Sequence, residues 1–259
     1  MNETIINSAH QRRNSFVIIG LILSAWVILV IWSLSPYAGL LDHHTIGEGD
    51  LPLIVRLGLF LIGWFLMVMA MMLPASFLTG DNFFRQSVRQ DWWAYSPAYM
   101  LGYLALWIAF GGFIYLGDAG LHEGVEHFAV LETLSVGIFW ALLLIIGGYQ
   151  FTSAKHICLS KDHLPLHTQE RAHSNPVDGL ARFRMGSRHG LYCLGSCWGL
   201  MLLMFAIGSM NLIVMLGLSG IMIAERVAPI RWQFSRLVGL CLIALAFMIM
   251  FSKLSSFQV

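Results

Sequence analysis

Long apolar runs alternate with short polar connections along this chain. Seven runs stand out: Phe16–Leu34, Leu53–Leu73, Tyr99–Leu116, Leu134–Phe151, Gly190–Ile207, Leu212–Ala224 (extended to about Ala228) and Leu237–Ser252. A helix needs ~20 mostly apolar residues to cross the hydrocarbon core of a bilayer. Backbone polar groups in lipid must be satisfied within the segment, which selects helices over open strands. The pattern predicts an all-α fold, a polytopic transmembrane helix bundle of about seven spans forming a single transmembrane domain over residues 1–259. Arg12 and Arg13 precede the first run as they would in a secretory signal. That run is longer than a signal core and no small-x-small cleavage site follows closely, so it reads as an uncleaved first helix.

The connections orient the bundle. Lys and Arg accumulate in cytoplasmic loops. With the N-terminus inside, cytoplasmic segments hold Arg12, Arg13, Arg85, Arg89, Lys155, Lys161, Arg171, Arg182, Arg184, Arg188, Arg226, Arg231 and Arg236, leaving only Arg56 and Lys253 of the 15 basic residues elsewhere. Those two lie near the outer face, where long side chains snorkel. The outer connections Ser35–Pro52 and Gly117–Thr133 contain no Lys or Arg. The expected topology is N-in/C-out in a bacterial cytoplasmic (inner) membrane. Gly208–Asn211 is short enough to force an antiparallel hairpin, and residues 152–189 read as one long cytoplasmic loop rich in histidine. No internal repeat of the kind found in many transporters is evident.

Composition agrees. Hydrophobic residues make up 58% of the chain and charged residues 11%, against roughly 25% charged in a soluble domain. A net charge of +1 suggests no nucleic-acid partner. Four cysteines, Cys158, Cys193, Cys197 and Cys241, are too few and too dispersed for a disulfide scaffold.

The chemistry lies in sulfur. Cys193, Cys197, Met201 and Met204 follow one helical stripe. Thiolate and thioether are soft donors that favour Cu(I), with zinc competing for the thiolates. The same stripe also packs an apolar interior well. The second run ends in Met67-Val-Met69-Ala-Met71-Met72-Leu-Pro74, a thioether cluster at the same depth. Pro74 is expected to end or kink that helix and to free carbonyls. His156 and Cys158 follow the fourth run and are placed to cap a metal from below. A solvated loop histidine is the plainer reading of His156. Met215, Met222 and Glu225 share a face of the sixth run. Glu225 is either a ligand or a partner for Arg226 or Arg231. Cys241 stands alone, and the outer His43, His44, His122 and His127 read as solvated loop residues.

Three motifs carry a resemblance. Met71-Met72-Leu73-Pro74, Gly148-Tyr149-Gln150-x-Thr152-x-x-Lys155-x-x-Cys158-Leu159, and His189-Gly190-x-Tyr192-Cys193-x-Gly195-x-Cys197-Trp198-x-x-Met201 resemble a bacterial family of metal-binding integral membrane proteins. Gly208-x-Met210-Asn211 and Glu225-x-x-x-Pro229 extend the likeness. Members are copper-chaperone-like, at least one serving a tyrosinase-type copper oxidase. The resemblance implies that the motif Cys, Met and His residues, His189 included, belong to a metal-handling site. Two positions depart from the family pattern: Asp162 and Ser196 stand where cysteines are usual.

The resulting expectation is a membrane-embedded metal-binding protein with copper as the expected metal, a chaperone or assembly factor for a copper-enzyme client and not an enzyme. Its candidate metal ligands are Met71, Met72, His156, Cys158, His189, Cys193, Cys197, Met201, Met204 and Glu225. The alternatives are a Cu(I) transporter, or a structural or assembly subunit with a degenerate metal site. A proton-coupled carrier needs ionisable groups at mid-membrane, and no run carries one there. Haem needs facing axial ligands inside the bundle, and no histidine lies deep enough, so neither haem nor nucleotide is expected.

Overall fold

The computed structural model describes residues 19–35, 52–79, 97–126, 131–161, 179–207, 211–228 and 231–256. Among these residues every regular element is helical: α1 (Ile19–Ser33), α2 (Leu53–Thr79), α3 (Pro97–Glu126), α4 (Leu131–Tyr149), α5 (Ser153–Lys161), α6 (Gly179–Ile207), α7 (Leu212–Val227) and α8 (Arg231–Ser256). α2, α3, α6 and α8 are long and apolar enough to cross a membrane, and α4 with α5 would make a fifth span if the bent pair counts as one. α1 is apolar but shorter, and α7 has 16 residues.

Element ends follow local chemistry. Asn211 caps α7 by accepting the Val214 amide at 3.2 Å, and Ala228, the residue before Pro229, leaves helical geometry at ψ 135°. α4 and α5 meet at 63°. At that break Thr152 Oγ1 donates to the Tyr149 carbonyl at 2.7 Å and accepts the Lys155 amide at 3.4 Å, capping α5. The stretch 152–189, expected as one loop, therefore contains α5 and the opening turns of α6. His122, expected in an outer loop, falls within the last turns of α3, whereas Asp162, His43, His44, His127 and the chain's first 18 residues lie outside the described residues.

Pro74 neither ends nor interrupts α2, which runs through to Thr79. A proline in a helix lacks the N–H that would bond four residues back, here the carbonyl of Ala70. Trp26 of α1 donates its indole N–H to that carbonyl at 3.1 Å. The freed acceptor is thus satisfied by a neighbouring helix.

Small residues set the closest helix contacts, as they do where apolar association cannot drive packing. A Cβ on Gly102 would fall on the Phe183 carbonyl and one on Gly186 on the Tyr99 carbonyl, so α3 and α6 touch backbone to backbone. Tyr99 faces Gly186 and Tyr103 faces Gly190, so the two helices run parallel. Gly147 faces Ile243 and Gly239 faces Gln150 and Phe151, which makes α4 and α8 antiparallel. Trp64 donates to the Trp107 carbonyl at 2.9 Å. Gly111, one turn on, leaves the room that the indole fills. Beyond it Phe60 meets Tyr115 and Phe205 at 5.2 and 5.7 Å. α2 is therefore antiparallel to both α3 and α6. One end of the bundle, where α3, α6 and α8 begin and α2, α4 and α7 finish, collects the polar side chains of the candidate site.

Candidate metal site

α6 is a continuous helix from Gly179 to Ile207, so Cys193 and Cys197 stand one turn apart on one face. Both are buried, as is Met72 of α2. Met72 Sδ lies 3.9 Å from Cys193 Sγ and 3.7 Å from Cys197 Sγ. Two sulfurs each ~2.3 Å from a shared ion, at tetrahedral to trigonal angles, stand about 3.8–4.0 Å apart. The observed separations match that spacing. Cys197 also directs its thiol to the Cys193 carbonyl at 2.9 Å, the usual resting contact of a thiol within a helix.

Polar groups close around Cys193. Tyr103 of α3 shares a hydrogen bond with its Sγ at 3.2 Å. The Arg226 guanidinium of α7, 2% exposed, donates to the same sulfur at 3.0 Å and to Ser196 Oγ at 3.5 Å. Ser196 in turn donates to the Cys193 carbonyl at 2.7 Å. Ser196 therefore sits on the site as a hydroxyl.

Glu225 takes a different direction. Successive helix residues are ~100° apart, so where Arg226 meets the sulfurs Glu225 meets α5. Both its oxygens accept from Lys155 Nζ at 2.8 Å. The ammonium's third bond goes to Gln150 Oε1, which also accepts from Ser235 Oγ at 3.0 Å. All four residues are buried. Lys155 is thus a partner of Glu225; the side chain of Arg231 lies outside the described residues.

The other predicted residues scatter. Met71, Met201 and Met204 are fully buried in the same apolar core. Cys158 is half-buried on α5, where its Sγ would stand 2.6 Å from a Cβ on Gly195. Gly195 is about 200° around α6 from Cys193, so Cys158 packs against the opposite side of the helix. His156 is exposed and sets its ring edge-on to Trp232 at 4.9 Å. His189, one turn before Cys193, stacks near Tyr103 and Tyr99 at 5.5 and 6.1 Å. Among the described residues no three His, Cys, Asp or Glu side chains converge; the third donor beside the two thiols is a thioether.

Sequence reasoning misses Arg226, Tyr103, Lys155, Gln150 and Ser235 as a set, because it counts Lys155 and Arg226 among the loop charges. The available signal is that Tyr149, Gln150, Thr152 and Lys155 fall in one motif at the end of an apolar run, where buried polar groups need partners.

The sequence model of the PpoB2 copper chaperone family matches residues 61–249, which include every helix from the middle of α2 to most of α8. This chain belongs to that family. Met72, Cys193, Cys197 and Arg226 all fall within the PpoB2 match. Neither a search of curated proteins nor one of solved structures found a match.

Proposed function

We propose that the protein is a membrane-embedded copper chaperone that holds Cu(I) between Cys193, Cys197 and Met72 and hands it to a copper-enzyme client. Copper here is cargo and not a resident cofactor. The single observation that carries the reading is the convergence of three sulfurs from two helices at 3.7 and 3.9 Å. Two thiols and a thioether form a soft donor set suited to Cu(I), and family membership points to the same metal.

The proposed setting is the bacterial inner membrane, with seven spans, the N-terminus inside and the C-terminus outside. Three things support it: four helices of spanning length, the asymmetry of basic residues, and the helix directions fixed by the packing register. In that arrangement the sulfur site lies at the cytoplasmic end. The other half of the bundle is filled by Phe60, Trp64, Tyr115 and Phe205, whose rings interlock at 5.2–5.9 Å around Phe60. That filling favours a binding site over a continuous path, and so a chaperone over a transporter.

The test is Cu(I) binding by the purified protein under reducing conditions. One equivalent is expected in wild type and none in Cys193→Ser/Cys197→Ser, with the thermal midpoint of the apoprotein preserved. Equal copper uptake by the double variant would sink the reading.

A further inference from the structure

We propose that Arg226 determines the metal specificity of the sulfur site, favouring monovalent copper over divalent zinc. The inference rests on the copper-binding reading above and adds a role for a residue outside the donor set.

The need for such a device is chemical. Two thiolates accept Zn(II) as well as Cu(I), and their softness and the thioether discriminate only in part. Among the described residues no three His, Cys, Asp or Glu side chains gather to complete a hard site, yet nothing in two cysteines alone excludes a divalent ion. Charge can supply the missing discrimination. The Arg226 guanidinium donates to Cys193 Sγ at 3.0 Å. With a metal–sulfur bond of ~2.3 Å, an ion on that sulfur lies within about 5 Å of the guanidinium nitrogen. At that distance, in a buried site, charges interact strongly.

Metal ligation takes the cysteines as thiolates. The attraction of the guanidinium for the two thiolates is the same whichever ion they hold. Its repulsion of the ion is not, because a divalent ion is repelled twice as strongly as a monovalent one at the same position. The complex of two thiolates with Cu(I) carries one net negative charge, for which the arginine is the counter-charge. The corresponding Zn(II) complex is neutral and offers the arginine no such compensation. Whatever else the guanidinium touches, the difference persists, because the two ions occupy one place.

The surroundings keep Arg226 where this requires. Its neighbour Glu225 is held by both oxygens on Lys155 at 2.8 Å, which fixes the end of α7. Ser196 Oγ receives the guanidinium at 3.5 Å and itself donates to the Cys193 carbonyl at 2.7 Å, so it orients the arginine toward Cys193. Ser196 thereby serves as a support for the arginine and not as a third thiolate. A third thiolate beside the same guanidinium would add negative charge and weaken the discrimination.

The experiment measures Cu(I) and Zn(II) affinities separately, by chelator competition on the purified full-length protein in detergent under reducing conditions. Wild type is compared with Arg226→Gln and Arg226→Lys. Removing the charge should shift the Cu(I)-to-Zn(II) affinity ratio toward zinc by about tenfold or more, while lysine keeps the ratio close to wild type. Should Arg226→Gln not fold, Ser196→Ala gives the same test without adding a donor, since it removes the hydroxyl that orients the guanidinium and should shift the ratio in the same direction by a smaller amount. A purely structural role for Arg226 would lower both affinities together and leave the ratio unmoved. An unchanged ratio, or one shifted toward copper, overturns the inference while leaving the copper site standing. Absence of Cu(I) binding by wild type overturns both.

Discussion

On one side of the end of α7, Glu225 closes an ion-pair network with Lys155, Gln150 and Ser235. On the other, Arg226 faces two thiols and a thioether. The two regions begin at adjacent residues and are both buried, yet their chemistry differs. In the network the three ammonium donors each have an oxygen, and four chain segments are tied through it. It is hard, charged and complete. Buried ion pairs of this kind add little net stability but are costly to break, because the surviving partner is left charged in a low-dielectric interior. The sulfur region is soft. Its sulfur–sulfur contacts are at 3.7 and 3.9 Å between polarizable atoms that lose little if they are exchanged for bonds to an ion. The difference separates a framework from a binding place. Rigidity on the Glu225 side holds the helix end that presents Arg226 to the sulfurs.

That contrast can be broken from either side. The largest effect is expected for Glu225→Gln or Lys155→Met alone, each destabilising the protein by about 3–5 kcal/mol in detergent unfolding. The double variant should recover most of that loss. Equal destabilisation by the single and double variants would refute the network's role as a closed pair. Next comes Gly186→Ala, where the new Cβ meets the Tyr99 carbonyl. Backbone cannot move aside as a side chain can, and a cost of about 1–3 kcal/mol is expected, with weaker copper retention because α6 carries both cysteines.

Met72→Leu sharpens the other half of the comparison. It conserves volume, so stability should change by less than about 1.5 kcal/mol, while Cu(I) affinity should fall through loss of the thioether. A parallel fall in stability and affinity would make Met72 a packing residue only. The smallest effect is expected for His156→Ala. Its ring is exposed on α5 against Trp232, and a change within about 0.5 kcal/mol with unaltered copper binding is predicted. A measurable loss of copper would return His156 to the donor set.

Much of the fold is legible in the amino-acid pattern. Apolar runs mark helices because each must bury or shield a continuous backbone ladder, and the helices lie where the runs lie. Their ends are less legible. α6 begins at Gly179 and not near Gly190, since Gly186 and Gly190 make sense as helix only with α3 pressed against them. Pro74 reads as a helix end or kink because its missing N–H is visible in the sequence, whereas Trp26, which arrives from a separate segment to satisfy Ala70, is not.

The candidate site divides in the same way. The chain's residue order suffices to put Cys193 and Cys197 on one helix face, to crowd methionines at the end of α2, and to gather basic residues at one end of the helices. These are properties of a single segment, fixed by 3.6 residues per turn or by composition. Tertiary packing was needed to bring Met72, and not Cys158 or His156, to the pair, to set Glu225 against Lys155, and to turn Arg226 to the sulfurs. Those outcomes depend on which sides of separate helices come together, and that choice is made by backbone approach at glycines and by the demand that every buried charge find a partner.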